Sequence, residues 1–253
     1  TVDLNLDGAA GTDFTVTFVD LEPVDLTDML VVTINGSANT DTIALDNGTS
    51  IAGEDAIQVS GTVDGFTMET AFVRDAGTLN ILTAAGDDTL TINGATNAHN
   101  VTNLTLNTGT DTNSIAVAGS ATVTGTMILT TTGSIADSGA GGTLSADSLK
   151  LDSGTGVGTS GNVIDTAVTT LSAQASTSGG VFVTETDGLT IGTVDSFSGL
   201  TATDGEVFLA LTNGTLTVNE QISAAGAAND VRINVNGSGD DDDIVLASNG
   251  NIS

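Results

Sequence analysis

Apolar side chains along this chain alternate with threonine and other small polar residues in runs of four or five, and each run ends in a small polar pair. Val31-Val32-Thr33-Ile34 runs into Asn35-Gly36, Thr42-Ile43-Ala44-Leu45 into Asn47-Gly48, and Thr89-Leu90-Thr91-Ile92 into Asn93-Gly94. Val207 to Leu211 and Val231 to Val235 precede Asn213-Gly214 and Asn236-Gly237 in the same way. A period of two with one apolar face is the signature of a half-buried strand. The Asn-Gly pairs are read as turns that need positive φ. No sustained helical spacing interrupts the pattern, so the chain is all-β.

Two architectures fit such segments. Asn-Gly between strands is a hairpin signal, which gives an antiparallel β-sandwich array. Monotonous short units that recur along most of the chain, with no change of structural type, give instead a parallel β-solenoid in which each rung touches only its neighbours. Aromatic residues are 3% of the chain, with seven Phe and neither Trp nor Tyr. That suits a narrow coil filled by Val, Ile, Leu and Ala, and the solenoid is the reading adopted. Val32, Ile34, Ile43, Leu45, Leu90, Ile92, Leu209, Leu211, Ile233 and Val235 are then expected to face inward and stack in columns. Phe18 to Met29 breaks the monotony and holds the single proline, Pro23, so it reads as an edge, a bulge or a loop leaving the stack.

The units divide into two stretches. Residues 1–120 are rich in Asn-Gly and Asp-Thr turns, and residues 121–253 carry a different repeat, clearest from about Gly133, that continues the first. That repeat runs through Thr143-Leu144-Ser145-Ala146-Asp147, then Asn162-Val163-Ile164-Asp165-Thr166-Ala167-Val168-Thr169-Thr170-Leu171-Ser172-Ala173, then Asp187-Gly188-Leu189-Thr190-Ile191-Gly192. It resembles the repeats of large bacterial surface proteins of the filamentous-haemagglutinin type. The resemblance implies an extended right-handed parallel β-helix, exported to the cell surface or beyond and serving as an adhesin or a fibre. Its implied partners are neighbouring repeats or copies of itself end to end, and glycans or a neighbouring cell surface.

Charge narrows the classes further. Acidic side chains number 32 against 3 basic ones, a formal net charge of −29, while 39% of residues are hydrophobic and the mean hydropathy is +0.23. The apolar content separates this chain from charged disordered ones. Arg74, Lys150 and Arg232 cannot neutralise a phosphate backbone, so nucleic acid is not an expected partner. No cysteine is present for disulfides or thiolate metal sites. No apolar run approaches the roughly 20 residues of a membrane-spanning helix, and membrane insertion is not expected. The first residue is Thr1 and no secretion signal precedes it, which reads as a piece of a longer protein. Self-repulsion of this size is relieved by an ionic exterior, and better by divalent ions; a halophile's cytoplasm would serve too, but the repeats point outside the cell. Asn-x-Ser/Thr acceptors occur at Asn35, Asn47, Asn100, Asn103, Asn213, Asn236 and Asn251.

Candidate chemistry is sparse. His99, the single histidine, falls in Asn97-Ala98-His99-Asn100 and reads as a solvated turn residue. No nucleophilic triad can be assembled around it, and no catalytic residue is assigned. A polysaccharide-active β-helix enzyme would set two or three acids in a groove with aromatic and basic residues to hold sugar, and this chain is poor in both. Calcium has more to bind, since it takes six to eight oxygens from carboxylates, carbonyls and Asn side chains. Asp87 and Asp88, in Ala85-Gly86-Asp87-Asp88-Thr89-Leu90-Thr91-Ile92, resemble the second half of the calcium-binding nonapeptide of repeat-in-toxin proteins, without its leading glycine pair. Asp41 and Asp111 sit in weaker echoes of it. Asp240, Asp241, Asp242 and Asp243 form the densest acidic run, which reads as a solvated loop or, with cations among them, a metal site. A calcium-dependent module that binds glycans or protein is therefore the second functional expectation, beside the rigid rod. Both ends, Thr1 to Leu6 and Asp243 to Ser253, read as uncapped strands open to another rung.

Overall fold

The computed structural model describes residues 2–5, 14–16, 23–139, 141–226, 230–236 and 243–253. It is an all-β solenoid with 57% of residues in strands and about seven turns of stacked parallel strands. Most strands pair with the equivalent strand one rung on, 19 to 28 residues along the chain, and the strands of the first rung pair 47 residues on. Ile164 pairs with Val183, Thr78 with Asn103, and Leu216 with Ile244.

The alternating pattern does what its period demands. Along Val31–Asn35, Thr78–Leu82 and Asn103–Asn107 every second residue is buried. Because registers match, the buried side chains form columns along the coil. One runs Val32, Leu79, Leu104, Met127, Leu149, Leu171, Ile191, Val218 and Leu246. The first eight are fully buried, each worth about 1.5–3 kcal/mol. A second runs Ile43, Leu90, Ile115, Ile135, Val157, Val181 and Val207. Of the residues expected inside, Ile233 and Val235 are half-buried and packed on the core, and the other eight are buried.

The amino-terminal part departs from parallel stacking. Thr42–Thr49 folds back on Asp55–Val63 as an antiparallel hairpin, and Asp55–Val63 pairs antiparallel with Ala71–Arg74. Val2–Asn5 lies antiparallel to both Val31–Asn35 and Phe14–Val16. Val31–Asn35 and Thr42–Thr49 of the first rung are therefore covered by antiparallel strands, contrary to the expectation of an open edge there, while Val24–Thr27 pairs only with Ala71–Arg74 among the described residues. The hairpin also corrects the reading of Asn47-Gly48, which lies inside the strand and makes no turn. Gly48 is needed for close approach, since a Cβ there would sit 2.6 Å from the Gln58 Cβ. Of the five glycines in the Asn-Gly pairs, Gly214 adopts positive φ, Gly36, Gly48 and Gly94 do not, and Gly237 lies outside the described residues. Aspartates take that conformation more often, at Asp28, Asp64, Asp75, Asp111 and Asp195. Pro23 is exposed, and Val24–Thr27 after it is a strand of the stack, parallel to Ala71–Arg74, not a loop leaving it; residues 18–22 of the same stretch lie outside the described residues. A proline immediately before a strand withholds no ladder donor.

The other end differs. Val231–Val235 and Ile244–Leu246 pair with the preceding rung, at Val207–Leu211 and Leu216–Val218, and carry no further partner among the described residues. Ile244 and Leu246 continue inward columns yet are 47% and 56% exposed.

Candidate functional site

The first corner of the coil concentrates buried polar groups. Three successive rungs turn there through segments of equal length, 36–41, 83–88 and 108–113, between strands in register. Their last residues, Asp41, Asp88 and Asn113, stack on one another and are all buried. The Asp41 amide donates to Asp88 Oδ1 at 2.8 Å, and the Asp88 amide donates to Asn113 Oδ1 at 2.7 Å. Each side chain thus replaces the partner that the backbone lacks where the strand bends.

The three residues complete their hydrogen bonding differently. Asn113 Nδ2 donates to the carbonyls of Thr108 and Thr110, at 2.7 and 2.6 Å. Asp41 accepts from the Ser37 amide and hydroxyl and from the Asp64 amide. Asp88 Oδ2 is buried and has no hydrogen-bond partner among the described residues, and neither has the buried Thr83 Oγ1 of the same corner.

Asp87 and Asp111, by contrast, are exposed. Asp87 Oδ1 accepts from the Thr112 amide and Asp111 Oδ2 from the Gly86 amide, so the two tie neighbouring corners together in opposite directions. Of the acidic run, Asp240, Asp241 and Asp242 lie outside the described residues. Asp243 is exposed, and its carbonyl accepts the Leu216 amide. Among the described residues no three His, Asp or Glu side chains converge as a metal-holding group.

His99 corrects the expectation of a solvated residue. It is 3% exposed, with Nδ1 accepting the Val101 amide at 2.9 Å and Nε2 facing the Ala95 carbonyl at 3.3 Å. Both nitrogens thus serve backbone groups, with the proton on Nε2. Burial holds the ring's pKa below its ordinary 6.5, against the backbone hydrogen bonds that raise it.

The residue pattern does not single out Glu185, although the alternation of Val181, Val183 and Glu185 places it inside. It is fully buried on Val181–Glu185, in a column between Thr166 and Leu211. The Thr166 hydroxyl donates to its Oε2, the Thr186 and Asp187 amides to Oε1, and the Val168 amide to both oxygens. Burial raises its pKa above the ordinary value and outweighs these donors, which act the other way.

The three cations are engaged on the outer surface. Arg74 pairs with Glu54 and with Asp75, Lys150 with Asp195 at 3.4 Å and Asp152 at 3.7 Å, and Arg232 with Glu206 while lying 5.3 Å from the Phe208 ring centre. Lys150 thereby holds down the two-stranded hairpin Thr193–Val194 and Phe197–Ser198, whose turn residues Asp195 and Ser196 both have positive φ. That is the backbone of a type I′ turn.

Taken together, stacked parallel rungs with a corner ladder define a β-solenoid, which is a class of architecture and carries no activity by itself. Set against known protein families, curated proteins and solved structures, the chain matches none of them.

Proposed function

We propose that this chain is a structural segment of an extracellular bacterial fibre, adhesin or surface layer, a rigid rod that joins rung to rung with copies of itself or with neighbouring repeats of a longer chain. The observation that carries the reading is the last rung. Ile244 and Leu246 extend interior columns but stand half-exposed, on a strand whose outer edge is unpaired among the described residues. A half-exposed apolar column on a strand edge unpaired among the described residues gains both burial and backbone hydrogen bonds from another strand, whether of a second copy or of a longer chain. The acidic surface suits an ionic exterior, and the likeness of the later repeats to filamentous-haemagglutinin-type proteins supports the same placement.

Sedimentation velocity over a rising concentration series tests this. The chain should form larger species as concentration rises, and Ile244→Asp combined with Leu246→Asp should abolish them without unfolding the preceding rungs. A single species of monomer mass throughout the series overturns end-to-end assembly.

A further inference from the structure

We propose that the first corner of the coil is a specific binding site for a hard cation of the calcium or sodium class, held by the Asp88 carboxylate with the Thr83 hydroxyl and backbone carbonyls of the same corner. The argument starts from Asn113. Its side chain fixes the corner by accepting the Asp88 amide of the rung before on its oxygen and donating its NH2 group to the carbonyls of Thr108 and Thr110. Asp88 occupies the same register position one rung earlier, with Oδ1 in the same role toward the Asp41 amide. Its other atom is Oδ2, an acceptor where Asn113 carries two donors, and it is buried with no hydrogen-bond partner among the described residues. A carboxylate oxygen buried from water and met by no donor is costly unless something positive lies beside it.

Among the described residues no basic side chain reaches this corner. Arg74, Lys150 and Arg232 are each paired elsewhere on the surface. Thr83 points independently to the same conclusion. Its hydroxyl is buried without a partner, whereas Thr108, one rung on, donates to Thr131 Oγ1 at 2.9 Å. Thr83 also neighbours Asp41, since both crowd the space a Cβ on Gly36 would occupy. A second buried carboxylate thus adds negative potential beside the site while keeping its own three donors. Carboxylate, hydroxyl and carbonyl oxygens are the ligand set of hard cations, which complete their shells with water.

The test is thermal melting of the full chain, stripped with chelator, in calcium, magnesium or sodium chloride at matched ionic strength, with calorimetric titration of calcium. The wild type should bind one calcium that magnesium does not displace and should melt several degrees higher in calcium than in sodium. Equal stabilisation by calcium and sodium, with Asp88→Asn abolishing both, would assign the site to sodium. Asp88→Asn supplies the NH2 group found at Asn113, so it should melt above the stripped wild type and lose the response to the ion. Thr83→Val should weaken the affinity about tenfold. Asp87→Asn, exposed and next in sequence, should leave the response intact. Equal ion responses in wild type and Asp88→Asn, or loss of the response in Asp87→Asn alone, would overturn the proposal.

Discussion

Thr166 donates its hydroxyl to Glu185 Oε2 across 2.7 Å inside the coil, in a column that continues upward through Leu211 and Val235. A carboxylate is thereby held among aliphatic side chains by a hydroxyl and three amides. Its folded pKa lies above the ordinary 4.5, so the folded chain holds this proton more tightly than the unfolded chain. The contribution to stability therefore grows as pH falls through the folded value and is complete below 4.5. Glu185→Gln should remove that pH dependence. The variant's gain over wild type in urea midpoints should be greatest near neutrality and shrink on acidification. Glu185→Leu orphans the amides and should cost about 3 kcal/mol.

His99 has the opposite sign. Its folded pKa is lowered, so the unfolded chain takes up this proton first. Stability is full above 6.5 and is lost as pH falls from there through the folded value. Protonating Nδ1 also breaks the bond from the Val101 amide. Denaturation midpoints on either side of 6.5 should show the loss in wild type and its disappearance in His99→Gln. An unchanged slope in the variant would assign the loss to other groups.

The stacked columns make a sharp contrast between neighbours. Ile92 is fully buried between Leu45 and Val117, while Thr91 is half-exposed on the opposite face. Ile92→Asp should cost several kcal/mol by burying an unpaired carboxylate. Thr91→Asp should stay within about 0.5 kcal/mol, as surface changes do. Equilibrium unfolding of the two variants checks it.

Glycines with positive φ separate strain from crowding. Gly53 and Gly109 have φ of 86° and 68°. A Cβ on Gly53 meets nothing within 4 Å, whereas on Gly109 it would run into the Ala84 carbonyl oxygen of the preceding rung. Gly53→Ala should cost about 1–2 kcal/mol from backbone conformation alone. Gly109→Ala should cost clearly more, and chemical denaturation would measure the difference.

The period-2 pattern carries the architecture because stacking buries whatever alternation points inward. Val32, Ile43 and Leu90 can be read directly. The polar groups are harder, since their roles depend on the rung next door. Asn47 resembles a turn residue, yet its Oδ1 accepts the amides of Thr96 and Asn97 some fifty residues away. His99 resembles a solvated turn residue until backbone groups occupy both nitrogens. Asp87 and Asp88 resemble one calcium-binding pair, but the backbone turns one outward to a neighbouring amide and buries the other in the ladder. Glu185 sits at a legible inward position, and only the donors of Val168 and Thr186, set by the fold, make a charge tolerable there.

The hairpin near the amino terminus bears on how the chain finds its coil. Entropy lost on closing a loop grows with the logarithm of its length, and most rungs close over nearly constant spans. The first rung is the exception: the pairings of Val24 with Ala71, Val31 with Thr78 and Thr42 with Thr89 each close a loop about twice as long as the others. Thr42 also pairs with Thr62 in the hairpin, and the stretch from Thr62 to Thr89 is as long as the one from Leu189 to its partner Leu216. Once this local turn has zipped, the long closures shrink to the ordinary one. The coil can then grow by even steps from either direction, with contacts short enough in sequence to favour rapid folding at a length where β proteins are ordinarily slow.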